Sequence, residues 1–385
     1  LGVIAVAQLT RVYELTRKLS GKREEDVNTK DNRLNGYLML LFMFLFYAGL
    51  IWLMVAYGEE ALIHHPASKH GVGLDNLMIF NFVIILAVFF LTQTLLFFFA
   101  YKYFGKEGQK AFFYPHNNRL ELIWTIVPAI FLAVIIIYGL TTWNRIMDKP
   151  SEDALQVGLY GKQFEWIVRY PGKDKELGPT NYLLISTSNP LGIITKETIQ
   201  KKLKEKKEDI KSKKATLQKR KDIMPDWKIE KFQEEIAKLK RDTGRIRDLK
   251  QQELNFSAGY DDKVVTDTLH LPKGREVNFQ IRSRDVIHSA YMPHFRAQMN
   301  AVPGMKTSFK YTPTITSDSM KVIKQNPDFT YTLICNKICG ASHYKMKMGM
   351  KVEEEKAFEK WRQGLETFSE AAGLKKAGMA EKKKN

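Results

Sequence analysis

Three stretches of the chain, 34–58, 76–101 and 122–144, contain no Asp, Glu, Lys or Arg. About 20 apolar residues suffice for a helix to cross a bilayer core, so the three runs are read as transmembrane helices. Basic side chains set their direction. The segment 1–33 carries Arg11, Arg17, Lys18, Lys22, Arg23, Lys30 and Arg33. The loop 59–75 has Lys69 beside Glu59, Glu60 and Asp75, and the loop 102–119 has Lys102, Lys106, Lys110 and Arg119 against Glu107. The flanks alternate inside, outside, inside, which sends everything after Asn144 to the outer face. Residues 1–9 are apolar but too short to span, and read as the end of a longer apolar segment.

Beyond residue 150 the period changes. Short β-branched or aromatic runs at 156–160, 164–170, 182–186, 264–271, 277–282, 308–311, 328–335 and 345–352 alternate with Gly, Pro, Asn and Asp. Strands at this spacing predict a β-sandwich or small barrel over 150–195 and 251–362. Residues 196–250 interrupt it with 20 Lys and Arg against 11 Asp and Glu, a net of +9. Ile199, Leu203, Ile210 and Leu217, then Ile236, Leu239 and Ile246, recur at helical spacing. Pro225 breaks the run, which predicts a helical hairpin inserted between two strands. No base-reading or stacking elements accompany its lysines, so nucleic acid is not its partner. The remainder, 363–385, reads as a basic tail.

Charge and cysteine content narrow the class. The 385 residues carry a net charge of +18, and the mean hydropathy of −0.29 conceals the membrane segment. With only Cys335 and Cys339, a disulfide-stapled secreted domain is excluded. No C-x-x-C-H motif is present, so no c-type haem is attached to this chain.

The chemistry concentrates in Cys335-Asn-Lys-Ile-Cys339-Gly-Ala-Ser-His343-Tyr-Lys-Met346. Two thiols, an imidazole and a thioether fall in one loop, and His288 offers a second imidazole upstream. Thiolate, thioether and imidazole together favour copper. Zinc in Cys2His2 sites uses paired spacings on both sides and rarely recruits Met. A blue-copper site needs a single Cys. A dinuclear, thiolate-bridged copper centre fits this set best.

On these residues the sequence resembles subunit II of the haem–copper cytochrome c oxidases, with its binuclear copper A domain. The family loop C-x-E-x-C-G-x-x-H-x-x-M is matched at every position except its Glu. Leu120-Glu-Leu-Ile-Trp-Thr-Ile-Val-Pro-Ala129 resembles the opening of the family's second hairpin helix. Asp285-Val-Ile-His-Ser289, Ala301-Val-Pro-Gly304 and Gly161-Lys-Gln-Phe-Glu-Trp166 resemble further family segments. The likeness covers about 76–190 and 256–362. The span 34–58 and the insertion 196–250 lie outside it.

The resemblance implies a membrane hairpin over 76–144, preceded by an extra span, then an all-β cupredoxin-like barrel with the helical hairpin inserted. It implies that Cys335 and Cys339 bridge two copper ions, that His288 and His343 each bind one, and that Met346 and the Lys337 carbonyl complete the set. The family's Glu at position 337 also holds magnesium. Lys337 cannot do so, and Asn300 replaces a family Asp, so the magnesium site is expected to be absent or rebuilt. Glu121 stands where the family has the mouth of a proton path. Phe164 stands where the family has a Trp that receives electrons, with Trp166 second. The implied protein is a proton-pumping terminal oxidase subunit in a bacterial inner membrane, its copper domain periplasmic. Electrons would come from a haem c protein and pass to haem in subunit I, where haem and further copper reduce oxygen to water. So basic a chain suggests a donor that is acidic, membrane-tethered or part of a respiratory supercomplex, rather than a lysine-rich soluble cytochrome. Intact copper ligands argue against a quinol-oxidase subunit, Glu121 against an assembly module, and only eight His against a nitrous oxide reductase.

Overall fold

The computed structural model describes residues 2–19 and 28–374. They divide into two units, Leu1–His64 with Asn76–Leu140, and His65–Asp75 with Thr141–Asn385. The first contains α1 (Gly2–Leu19), α2 (Thr29–Ala61) and most of α3 (Lys69–Lys102) and α4 (Asn118–Met147). Asn28 caps α2 by accepting from the Lys30 and Asp31 amides, which satisfies two of the four donors a helix start leaves open. The three longest helices each have a mean hydropathy of 2.5 or 2.6 over the spanning window. Within this unit the Tyr47 hydroxyl donates to the Phe90 carbonyl across 3.3 Å, and Phe42 packs on Phe97. Outward positions such as Phe44, Leu45 and Ile136 are exposed, a surface that lipid tolerates and water does not.

The second unit is the predicted β-domain. Its strands are β1 (Leu155–Lys162), β2 (Glu165–Tyr170), β3 (Lys263–Val265), β4 (Thr268–Pro272), β5 (Val277–Ser283), β6 (His288–Met292), β7 (Ala297–Ala301), β8 (Thr307–Tyr311), β9 (Tyr331–Cys335) and β10 (Lys347–Glu353). They form two sheets of order β3-β2-β1-β5-β8 and β4-β10-β9-β6-β7. β1 runs parallel to β5, and β4 parallel to β10. Alternate residues turn inward, so Leu155, Val157 and Leu159 meet Trp166, Val168, Tyr170, Leu333 and Met350 in one core. Burying each large apolar side chain contributes about 1.5–3 kcal/mol.

The insertion comprises α5 (Lys196–Arg220) and α6 (Asp226–Asp248). Thr195 and Thr198 form a capping box at its start. Ile199, Ile246 and Leu249 bury its base against Leu184 and Ile194, while Lys213–Glu235 ties the two helices at 2.5 Å. The chain leaves β2 at Tyr170 and returns at Lys263, which is paired with Tyr170 in the sheet. At this neck the buried Arg169 guanidinium binds the equally buried Asp262 carboxylate, and both hydrogen-bond the Gly178 backbone.

Several expected strands differ from those observed. Residues 182–186 begin with a single 3-10 turn, Tyr182–Leu184, because the Asn181 side chain captures the Leu183 amide. The run 264–271 breaks at Thr266 and Asp267, placing β3 and β4 in different sheets. β6 and β7 were not anticipated. Helices α7 (Ser317–Ile323), α8 (Glu355–Gly364) and α9 (Phe368–Ala371) complete the unit. Phe368 is buried and Leu374 packs beside it, so residues 363–374 are folded rather than tail. Residues 375–385 lie outside those described. Of the loop expected over 59–75, residues 69–75 are the first turns of α3, and 65–75 are strapped to the domain: the Ala67 amide donates to the His294 carbonyl at 2.7 Å. Arg296 reaches Asp75 with two N–H donors at 2.7 and 2.8 Å.

Candidate metal centre

Two sheet strands and one loop assemble the site. His288 opens β6 and Cys335 closes β9, its neighbour; Ala290 pairs with Cys335. Cys339, His343 and Met346 lie on the connection from β9 to β10. That connection is folded back by the Cys335 amide on the Met346 carbonyl and the Asn336 amide on the Ser289 carbonyl, both at 3.0 Å. The five side chains expected from the sequence converge. Cys335 Sγ lies 3.9 Å from Cys339 Sγ and 3.8 Å from His288 Nδ1. Cys339 Sγ is 3.5 Å from His343 Nδ1 and 3.8 Å from Met346 Sδ. The Lys337 carbonyl oxygen is 3.2 Å from Cys335 Sγ.

The two sulfurs are free thiols, too far apart for a disulfide bond. Burial, with Cys335 beside it, pushes the Cys339 thiol up to about 11. Two thiolates this close cannot both ionise in a buried site without a cation between them. The ligand atoms of His288, Cys335 and Cys339 lie within 4.8 Å of one another and all three residues are buried. A soft N/S donor set, buried at His288, Cys335, Cys339 and Met346 and half-buried at His343, fits copper and suits no hard cation.

The segment 161–166 forms one wall. The Gln163 amide group donates to the Cys339 carbonyl at 2.6 Å. Gly340 has φ +136°, and a Cβ there would meet the Phe164 ring at 3.0 Å; a Cβ on Gly161 would meet the His288 ring at 2.8 Å. Trp166 is buried and set edge-on to His288 at 6.1 Å; Phe164 is half-buried. Glu121 is not brought to this site. It stands exposed in the first turn of α4, in the other unit.

Sequence reasoning passed over Asp285. Its carboxylate accepts from His288 Nε2, the Gln163 amide and the Val286 amide, each at 2.7 Å. Burial opposes its charge, but these donors prevail and hold the carboxyl below its ordinary range. With Nε2–H given to Asp285, Nδ1 is left as the metal-facing nitrogen. An acid three residues before a ligand His was the available signal.

A membrane-anchored, cupredoxin-like domain that brings two thiols and a thioether together with two imidazoles, one from β6 and one from the β9–β10 connection, has the make-up of an oxidase subunit of the electron-carrying type. Residues 63–142 match the family described as cytochrome C oxidase subunit II, transmembrane domain, and residues 245–353 match its periplasmic domain. The chain belongs to the cytochrome c oxidase subunit II family and is a subunit of a cytochrome c oxidase. It is 27% identical over 332 residues to the alternative cytochrome c oxidase subunit 2 of Bradyrhizobium diazoefficiens, covering 84% of this chain and 94% of that one. It is 23% identical over 318 residues to the cytochrome c oxidase subunit 2 of Thermostichus vulcanus, covering 81% of each. The crystal structure of the periplasmic domain of subunit II of cytochrome oxidase (CoxB) of Bradyrhizobium japonicum aligns with 56% of this chain and 94% of its own, at 15% identity and a TM-score of 0.28.

Proposed function

We propose that this chain is the electron-receiving subunit of a proton-pumping haem–copper terminal oxidase. Its partners are subunit I, the other oxidase subunits and a haem c donor. The observation that carries the reading is the convergence of Cys335, Cys339, His288, His343 and Met346 within 4 Å steps of one another. Cys335, Cys339, His288, His343, Met346 and the Lys337 carbonyl would hold two copper ions, and the pair would supply a one-electron carrier. Asp285 fixes the His288 ring, and the buried core beneath Trp166 keeps water out.

Phe164, half-buried against Gly340, and Trp166, against His288, form the side of the site where electrons arrive. Electrons leave for haem in subunit I, where oxygen is reduced to water. Glu121 offers a carboxylate for proton uptake into subunit I. Lys337 brings an ammonium where a magnesium-binding carboxylate would be needed, so no magnesium is held through that position. The setting is a bacterial inner membrane with the β-domain on the periplasmic side, and the basic hairpin 196–250 attaches the subunit to a neighbouring respiratory complex.

The decisive test is electron paramagnetic resonance with copper quantitation on the purified full chain. Two coppers per chain and a spectrum of one electron shared over both are expected. One zinc, or no metal, in an oxidase that still respires overturns the reading.

A further inference from the structure

Over 150–195 and 251–362, the inserted hairpin apart, the β-domain contains six arginines, and four of them meet carboxylates. Arg169 binds Asp262, Arg275 binds Glu355 and Glu359, Arg296 binds Asp75, and Arg362 binds Glu359. The other two, Arg282 and Arg284, have no carboxylate partner, and both line the same cleft, of about 450 Å³. Arg284 Nε is buried there without an acceptor. A donor left unpaired in the fold is unfavourable, more so a charged one, so this cleft is prepared for an acceptor from outside the chain. The adjacent Asp285 does not serve: its carboxylate takes Gln163, Val286 and His288, and Arg284 Nε stays without an acceptor beside it.

The location gives the cleft its meaning. The Arg284 amide donates to the Gly161 carbonyl at 2.9 Å, and Gly161 lies directly against the His288 ring. The wall of the cleft is therefore one residue from a proposed copper ligand. Tyr182 and Met305 stand exposed among its lining residues, and Val286 and Ile287 are exposed on the loop between Arg284 and His288. Arg, Tyr and Met beside exposed aliphatics are the composition of a protein-docking patch, with Arg as the anchor. A pocket for a small free anion would have no use for that apolar rim.

We propose that Arg282 and Arg284 form the socket for an Asp or Glu carboxylate on the surface of the electron donor, which is accordingly an acidic haem c protein. This rests on the electron-receiving function proposed above and names its partner. Guanidinium–carboxylate pairing can be bidentate and fixes orientation as well as attraction. Holding the donor here places its haem edge toward the Phe164, Trp166 and His288 wall. Electron-transfer encounters bury little area, so two well-placed charges decide the association rate.

The test uses the purified oxidase containing either the parent chain or the R282Q/R284Q double variant, with copper A verified by its paramagnetic spectrum in each. Two soluble haem c proteins serve as probes, one acidic and one lysine-rich. Binding is measured by calorimetry with redox-inert zinc-substituted forms, and copper reduction by stopped flow at low and physiological ionic strength. With the parent, the acidic probe should bind more tightly and reduce copper faster, weakening with salt. The double variant should raise its Kd and lower its bimolecular rate by about tenfold or more and flatten the salt dependence. A second variant, R284E, should shift preference toward the lysine-rich probe. An unchanged Kd for the acidic probe in the double variant, or a parent that prefers the lysine-rich probe, overturns the socket. Absence of the copper spectrum from the parent instead overturns the function on which it rests.

Discussion

Substituting Asp285→Asn keeps the shape of the side chain and removes one charge and one acceptor. Oδ1 of Asp285 takes both His288 Nε2 and the Val286 amide, and Oδ2 takes the Gln163 amide, all at 2.7 Å. An amide has a single oxygen. If it stays at Oδ1, the new NH2 opposes the Gln163 N–H, donor against donor. If it flips, it opposes His288 and Val286 together. The first arrangement costs less and still leaves one backbone donor unpaired, about 1–3 kcal/mol. It also replaces a carboxylate by a neutral partner for the imidazole, which makes Nδ1 less basic toward a metal. Losing such an orienting partner weakens metal binding by about 10–100-fold, roughly 1.4–2.7 kcal/mol. Competition for copper between the full-length chain in detergent and a chelator of known affinity measures this directly, with the paramagnetic spectrum reporting the His288 environment. Copper held as tightly as in the parent, with an unchanged spectrum, would refute the orienting role of Asp285.

Four further outcomes are expected. Arg169→Met strands the Asp262 carboxylate in a site where both partners are at most 1% exposed; breaking such a pair costs about 3–5 kcal/mol, a fall of roughly 10 °C in Tm, and a fall of a degree or less by calorimetry would discount the pair. Burial, with Lys324 and Arg296 nearby, brings His294 down to about 4. The unfolded chain therefore binds more protons below the ordinary histidine value of about 6.5, and stability falls with pH from there toward 4; in denaturant titrations His294→Phe should flatten this acid limb, and an equally steep limb would remove His294 from the account. Glu121→Gln should slow proton uptake during turnover in reconstituted vesicles, and unchanged rate and pumping would reject its assignment. Deleting 196–250 should leave the copper spectrum in place while reducing co-purification with neighbouring respiratory proteins, and undiminished co-purification would dismiss the attachment role.

The parts legible in the sequence were those encoded locally. Charge-free runs announced α2, α3 and α4, and the spacing of Cys335, Cys339, His343 and Met346 on one loop announced a cluster of soft donor atoms. Strand β6 escaped because His-Ser-Ala-Tyr-Met has little β-branched character; its place is fixed by pairing with β7 and β9. Tyr182-Leu-Leu-Ile-Ser has the composition of a strand, yet the Asn181 cap bends it into a turn. The parallel pairings β1–β5 and β4–β10, and the Arg169–Asp262 pair across 93 positions, depend on tertiary folding and leave no short-range trace. Asp285 was visible as a letter but not as a partner, since its role exists only once His288 has turned Nε2 toward it.

The neck at Tyr170 and Lys263 also bears on how such a chain changes over evolutionary time. To the sheet, β2 and β3 are simply adjacent antiparallel strands, whatever length of polypeptide joins them. Each doubling of a flexible connection adds only about 0.6 kcal/mol of closure entropy, and the clamped arginine and aspartate hold the ends together independently of what lies between. The long basic arm is therefore a graft: lineages can extend it, trim it or exchange it to suit new neighbours, and the cysteine-bearing loop on the opposite sheet inherits none of the consequences.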